Sequence, residues 1–327
     1  MRPPPLPVGV IGVGVLGWHH ARHLMAMPEA CLVGVYDIRP ERTTWVAQAL
    51  GTRACRSREE LLDLAEAVTV AVPTSAHGEV GAAAIEAGLP VLMEKPLAAT
   101  LSEALTLVTA ADRRGVLLQV GHVERFNRAL RSAQGYLGRP LFIEGERLAP
   151  YQPRGTDVPV VLDLMIHDLD LILHLAGRVP AIDVRANGAA VLSGLLDVAH
   201  ARVEFANGLV ASATASRIAE RRVRRLRVYQ EDGYLSLDLA AGRGEFWRLR
   251  SRWSPEDGRD LVDVAERIPL EAPAVDALGL ELASFCRAVR GEHDIVVTAR
   301  EGLAALELAL KVTETVHLGS FAPHPES

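Results

Sequence analysis

Through the first third of the chain, short apolar runs alternate with longer stretches of mixed polarity. The runs at residues 8–11, 31–36, 68–72, 90–93 and 116–120 are rich in Val and Leu and carry almost no charge. Apolar runs of this length predict strands buried on both faces. Between them, residues 16–27, 40–50, 57–65, 76–87 and 100–114 read as helices. Gly88 and Gly115 follow two of these, where the left-handed turn that closes a helix favours glycine. Strands alternating with helices predict a doubly wound parallel sheet covered on both faces, an α/β fold.

Beyond residue 123 the texture changes. A helix at 124–135 precedes a strand at 139–148, a polar, Pro-containing loop at 149–159 and a helix at 160–175. Strand-like segments follow at 181–186, 198–205, 209–215, 226–230 and 234–239, with Asn207-Gly208 and Asp232-Gly233 as hairpin turns between neighbours. That order predicts an α+β domain with a large, mostly antiparallel open sheet and helices to one side. Two helices, 274–290 and 299–318, finish the chain. The division expected is residues 1–122 and 123–327.

Composition narrows the functional classes. The chain has 327 residues and a net charge of −6, which gives no global attraction to nucleic acid or an anionic membrane. Arginines cluster between 217 and 227, and they read as a solvated strand face or a partner contact. Cys31, Cys55 and Cys286 make an odd, widely spaced set, so no disulfide framework is expected. Cys31, within a predicted strand, reads as a small buried apolar residue. None has a His or Cys at ligand spacing, so no zinc site is expected. The first seven residues are too short and proline-rich for a signal-peptide core, and no apolar run reaches membrane-spanning length. A soluble, cytoplasmic protein is the expectation.

The chemistry begins at Gly12-Val13-Gly14-Val15-Leu16-Gly17, between the first strand and the first helix. In that setting Gly12 permits a tight turn, Gly14 lets backbone approach a pyrophosphate, and Gly17 lets helix pack on strand. Backbone N–H groups at Val15 and Leu16 then face the phosphate oxygens at the helix start. Asp37 ends the second strand, where an acidic side chain accepts hydrogen bonds from an adenine ribose and repels a 2′-phosphate. NAD is therefore expected over NADP, although Arg39 offers a partner for that phosphate. Ligands of such sheets bind beyond the carboxyl ends of the strands, which makes Pro73, Thr74, His77 and Glu94 candidate cofactor contacts.

Two further motifs point into the same chemistry. Glu94-Lys95-Pro96 ends the fourth strand, and a lysine there can stabilise the oxygen of a hydroxyl undergoing oxidation. Asp163 and His167, four apart on a predicted helix, share a face, so the carboxylate orients an imidazole that takes up a proton. Asp168 reads as mostly structural. A metal held by Asp163, His167 and Asp170 is conceivable but unnecessary beside Lys95, and none is expected.

Together the glycine loop, Glu94-Lys95-Pro96 and Asp163-x-x-x-His167 resemble the Gfo/Idh/MocA family of sugar and cyclitol dehydrogenases, along essentially the whole chain. The resemblance implies Lys95, Asp163 and His167 as the catalytic group. It also implies a Rossmann domain joined to a domain whose open sheet makes homodimers or homotetramers. Residues 120–127 and 153–163 look like the branch acting at C3 of UDP-N-acetylglucosamine, with Arg128 standing where a proline is usual. That branch implies a 3-keto product used for amino-sugar lipid A or other surface glycans. Arg125, Asn127, Tyr151 and Arg154 are then candidates for the sugar and diphosphate, beside Lys95, Asp163 and His167. Two other readings stand: a dehydrogenase of a free cyclitol or hexose, and a non-catalytic NAD-binding regulator, against which the intact catalytic group argues.

Overall fold

Strand β1 (Leu6–Ile11) lies between β2 (Ala30–Tyr36) and β3 (Ala67–Val70), and β4 (Val91–Glu94) and β5 (Leu118–Gly121) extend the sheet beyond β3. Every pairing in this sheet is parallel. Its crossovers run through α1 (Val15–Ala26), α2 (Pro40–Leu50), α3 (Arg58–Leu64), α4 (His77–Glu86) and α5 (Leu101–Arg114). From β1 the chain turns first to one side and later to the other, so the glycine loop sits at the switch point. The computed structural model describes residues 4–152, 158–177, 179–250, 260 and 264–318.

The chain forms two compact units: Met1–Phe126 with Val275–Leu306, and Asn127–Ala274 with Glu307–Ser327. Residues 275–306 thus belong with the first sheet, whereas a division at 122/123 leaves them with the second. The reason is apolar packing. In α8 (Ala277–Val289), Leu282, Phe285 and Cys286 are buried in one cluster with Val8, Val10 and Leu92. At the start of α9 (Ala299–Thr315), Gly302 lies so close to Val120 that a Cβ would meet its Cγ2 at 2.3 Å.

The second unit is built on a nine-stranded sheet. Its strands are β6 (Pro140–Leu148), β7 (Ala181–Ala189), β8 (Val198–Phe205), β9 (Val210–Ser216) and β10 (Val223–Gln230). They are followed by β11 (Gly233–Asp238), β12 (Arg243–Leu249), β13 (Ala265–Leu270) and β14 (Val316–Leu318). The order is β13-β12-β11-β10-β6-β9-β8-β7-β14, antiparallel except for β6–β9 and β7–β14. Both expected hairpin turns are present, with Gly208 at φ +85°.

Three expectations change here. The closing helix ends at Thr315 rather than 318, because Val316–Leu318 pairs with β7. The expected helix at 124–135 is a 3₁₀ turn (Val123–Phe126), then α6 (Arg128–Ala133), then a second 3₁₀ turn. It breaks at Asn127, whose side-chain oxygen accepts the N–H of Ala129 and caps α6. Cys31 is exposed, on the sheet's edge strand, while Cys55 and Cys286 are buried and burial pushes the Cys286 thiol up to about 12.

Strand alternation sorts the charges of β6 and β10. Glu144, Arg227 and Tyr229 share one face, where Glu144 accepts from both partners. Phe142, Tyr229, Tyr234 and Trp247 form a cross-strand aromatic row on that face, with Arg267 over Trp247. The opposite face carries buried Leu226 and Val228 and packs on α7 (Ile166–Leu175).

Candidate active site

The glycine loop is shaped by backbone proximity. At Gly12, φ is +80° and a Cβ would lie 2.8 Å from the Ala71 carbonyl oxygen. At Gly17 a Cβ would lie 1.8 Å from the Gly12 carbonyl oxygen. Gly14 is different, since a Cβ there meets nothing within 4 Å. Two glycines are therefore needed by the fold, and the third keeps open space beside a helix start. Helices α3 and α5 are capped by Ser57 and Thr100, but α1 has no side-chain cap and no acidic residue in its first turn. Val15 and Leu16 are exposed there. Free N–H groups beside open space fit a dinucleotide pyrophosphate.

Asp37 is buried and accepts the N–H of Val13 at 3.0 Å on one oxygen, and the Arg39 N–H and Nε–H, each at 3.1 Å, on the other. Burial pushes its carboxyl up, but the bonds from Arg39 and Val13 outweigh this and hold it below the usual range. A carboxylate has about four acceptor positions, so one remains on the oxygen facing the loop. Arg42 donates to the carbonyls of Val13 (2.6 Å) and Gly14 (3.1 Å) and stacks on Trp45.

At the end of β4, the Glu94 carboxyl is held by His20 of α1, with Nε2 to Oε1 at 2.9 Å. Its other oxygen accepts the Lys95 N–H at 3.2 Å. The Lys95–Pro96 peptide is cis. His77 ties the same turn down: Nδ1 lies 2.8 Å from the Pro96 carbonyl oxygen and Nε2 lies 3.1 Å from that of Val72. Burial holds the His77 pKa below its ordinary value. Both ring nitrogens thus face protein, so His77 fixes the Lys95 turn rather than presenting a free ring. Pro73 caps the 3₁₀ turn Thr74–Ala76 that opens α4. His20 was not legible as a site residue, because its partner lies 74 positions away.

In the second unit the expected helix at 160–175 opens as a π turn, Val161–Met165, before α7. Ile166 N–H reaches back to the Val161 carbonyl, the five-residue spacing of a π turn, a feature frequent at functional sites. Val161, Met165, Ile166 and Leu169 are buried, whereas Asp163 and His167 are partly accessible. Asp168 is buried and takes Arg147 in a two-pronged pair, Nε and Nη2 each at 2.9 Å, which gives it the structural part expected. Asp170 is buried too. Among the described residues no group of three His, Cys, Asp or Glu side chains could hold a metal ion, and no helix is long and apolar enough to cross a membrane.

The remaining expected substrate contacts fare differently. Arg125 is buried in the first unit, 3.8 Å from Glu301. Asn127 spends its oxygen on the α6 cap and its NH₂ on the Leu239 carbonyl. These contacts tie both side chains into the fold. Tyr151 is exposed. Arg154 lies outside the described residues.

A cavity of about 330 Å³ lies within the second unit. Asp163 lines it, together with Gln152, Arg147, Arg217, Arg222 and Arg224. Arg217 is fixed by the Val158 carbonyl, at 2.6 Å, and lies 3.9 Å from buried Asp197. Asp197 accepts the N–H groups of Val191, Leu192 and Ser193. Burial opposes its charge, but these bonds and the Ser193 hydroxyl win and lower its pKa to about 2.

Comparison with known proteins follows the same lines. Residues 6–122 match the oxidoreductase family with an NAD-binding Rossmann fold, and residues 129–236 match the Gfo/Idh/MocA C-terminal domain. The chain is 38% identical over 312 residues to the UDP-N-acetylglucosamine 3-dehydrogenase of Acidithiobacillus ferrooxidans, covering 94% of this chain and 96% of that protein. A solved structure of the enzyme of that name and organism superposes with a TM-score of 0.86 at 35% identity, over 95% of this chain and 98% of the other. A myo-inositol dehydrogenase of Streptomyces leeuwenhoekii is 36% identical over 57% of this chain and 60% of its own length.

Proposed function

The chain belongs to the Gfo/Idh/MocA family and is a nicotinamide-dependent oxidoreductase acting on CH–OH groups; on that premise we propose that it oxidises C3 of UDP-N-acetylglucosamine to the 3-keto sugar. The similarity to a UDP-N-acetylglucosamine 3-dehydrogenase along nearly the whole of both chains carries this reading. The match to the inositol enzyme of Streptomyces covers little more than half of either chain.

In this reading His167 takes the proton of the C3 hydroxyl, and Asp163, four residues before it, orients the ring. Lys95, whose backbone turn is held by the Glu94 and His77 contacts, supplies the ammonium that stabilises the charge developing on that oxygen. The nicotinamide, when bound, supplies the two-electron acceptor for the C3–H bond. NAD is the cofactor in this proposal: the ionised Asp37 keeps an acceptor position for a ribose hydroxyl and repels a 2′-phosphate. Tyr151 and Arg154 remain candidates for the sugar. The open sheet face with its aromatic row joins copies of the chain, in the cytoplasm, and the ketone feeds a transamination step in amino-sugar lipid A or surface-glycan synthesis.

An assay of purified protein with NAD and a carbonyl trap tests the proposal. NADH forms with UDP-N-acetylglucosamine and not with N-acetylglucosamine or myo-inositol. Oxidation of myo-inositol with none of the nucleotide sugar overturns it.

A further inference from the structure

Glycine lets the loop after β1 approach other backbone at Gly12 and Gly17, but it does not fix which way the peptide groups between them point. That direction is set from α2. Arg42, in the first turn of that helix, donates Nε–H to the Val13 carbonyl at 2.6 Å and Nη2–H to the Gly14 carbonyl at 3.1 Å. Both donors belong to one planar group, so the two carbonyls are held in a fixed relation to each other. The guanidinium lies 4.6 Å from the centre of the Trp45 ring, and Trp45 stands against Trp18 of α1 with ring centres 5.0 Å apart. Thr43, next in the chain, accepts the Asp37 N–H at 2.9 Å, and Asp37 accepts the Val13 N–H at 3.0 Å. Val13 is therefore held through its N–H by Asp37 and through its carbonyl by Arg42.

A trans peptide is planar, and its C=O and N–H point in opposite directions. A Val13 carbonyl turned onto Arg42 sends the Gly14 N–H the other way, and the Gly14 carbonyl does the same for the Val15 N–H. Gly14 keeps open space, and α1 begins there without a side-chain cap. Arg42 thus aims two donors of the loop and covers two carbonyl oxygens whose partial negative charge opposes an anion. An arginine close to the residue that ends β2 can instead accommodate a ribose 2′-phosphate. Here two of its five N–H donors are spent on the loop and its guanidinium lies over Trp45.

We propose that Arg42 is a positioning residue for the cofactor: it holds the carbonyls of Val13 and Gly14 so that the neighbouring N–H groups meet the pyrophosphate shared by NAD and NADP. The assignment rests on the NAD-binding Rossmann family of residues 6–122 and on no particular sugar.

NADH and NADPH, titrated by fluorescence into the full-length protein with no sugar present, serve as the probes. Arg42→Ala weakens NADH binding about tenfold or more, the worth of hydrogen bonds from a charged donor. NADPH, where the wild type binds it, weakens by the same factor, because the two cofactors carry the same pyrophosphate. Arg42→Lys recovers part of the loss, since it restores charge without the planar fork. Thermal unfolding of each cofactor-free variant shows a folded chain. Unchanged NADH affinity in Arg42→Ala overturns the proposal, whether or not the melting temperature falls. A loss confined to NADPH overturns it too, by assigning the guanidinium to the 2′-phosphate. Wild-type NADH affinity in Arg42→Lys does the same, by reducing the role to charge alone. Because no sugar enters the titrations, their outcome stands apart from the oxidation of UDP-N-acetylglucosamine.

Discussion

The first unit shapes its glycine loop with backbone, and the second lines its cavity with side chains. In the glycine loop, function depends on atoms being absent: a Cβ at Gly17 would sit 1.8 Å from a carbonyl oxygen, while Gly14 keeps open space before an uncapped helix. In the second unit the cavity is lined by long charged groups that are held in place. Arg147 is gripped by Asp168, and Arg217 by the Val158 carbonyl with Asp197 behind it. The difference teaches where each half is vulnerable. Added bulk disables the first, and the loss of a charge or of its partner disables the second.

The largest expected effect separates chemistry from cofactor binding. His167→Ala, in the second unit, lowers turnover by about a hundredfold to ten-thousandfold, the usual worth of a general base. Affinity for NAD, held by the first unit, stays as in the wild type. Lys95→Ala behaves likewise by removing the ammonium at the developing oxyanion. Steady-state rates and a titration of cofactor fluorescence read both; wild-type turnover in His167→Ala removes it from the proton transfer.

An intermediate effect tests whether the second unit relies on held charges. Asp197 is depressed from 3.8 to about 2, so the stability it contributes is complete above pH ~4 and is lost as pH falls towards 2. The shift corresponds to about 2 kcal/mol. Asp197→Asn lowers stability by about that much at neutral pH and flattens the acid dependence below pH ~4. Urea titrations of both proteins across that range measure it. Equal stability at neutral pH contradicts the assignment of Asp197 as the loop's anchor.

The smallest effect sharpens the other side. Gly14→Ala leaves folding stability unchanged, because its Cβ meets no protein atom. It weakens NAD binding about tenfold, or 1.4 kcal/mol, by filling the space kept for the pyrophosphate. A drop in melting temperature with unaltered affinity contradicts the division between glycines needed by the fold and the glycine kept for the ligand.

The same contrast governs how much could be read before folding. The glycine turn was legible because close backbone approach at Gly12 and Gly17 demands that residue at that spacing. The helix that carries Asp163 and His167 was legible through its spacing, although the π turn at its start was not. The run from Arg217 to Arg227 was opaque: charge lies on both faces of β10, and only register against β6 shows which arginines meet Glu144 and Glu146 and which face α7. The burial of Arg125 was not legible, because Glu301, 3.8 Å from it, is distant in sequence. Distance also hid the return of α8 to the first sheet, since nothing local in Leu282 or Phe285 says which apolar face they cover. Strand β12 went unread because Arg243–Leu249 mixes charged and aromatic residues without a clean alternation.

One measurement bears most directly on the central claim that the chain oxidises C3 of a UDP-sugar. UDP-N-acetylglucosamine carrying deuterium at C3 is incubated with the protein and NAD, and the reduced cofactor is examined by mass spectrometry. The account predicts that the deuterium appears in the reduced nicotinamide and that the sugar product carries its ketone at C3. Reduced cofactor without deuterium, or a ketone at another carbon, contradicts it.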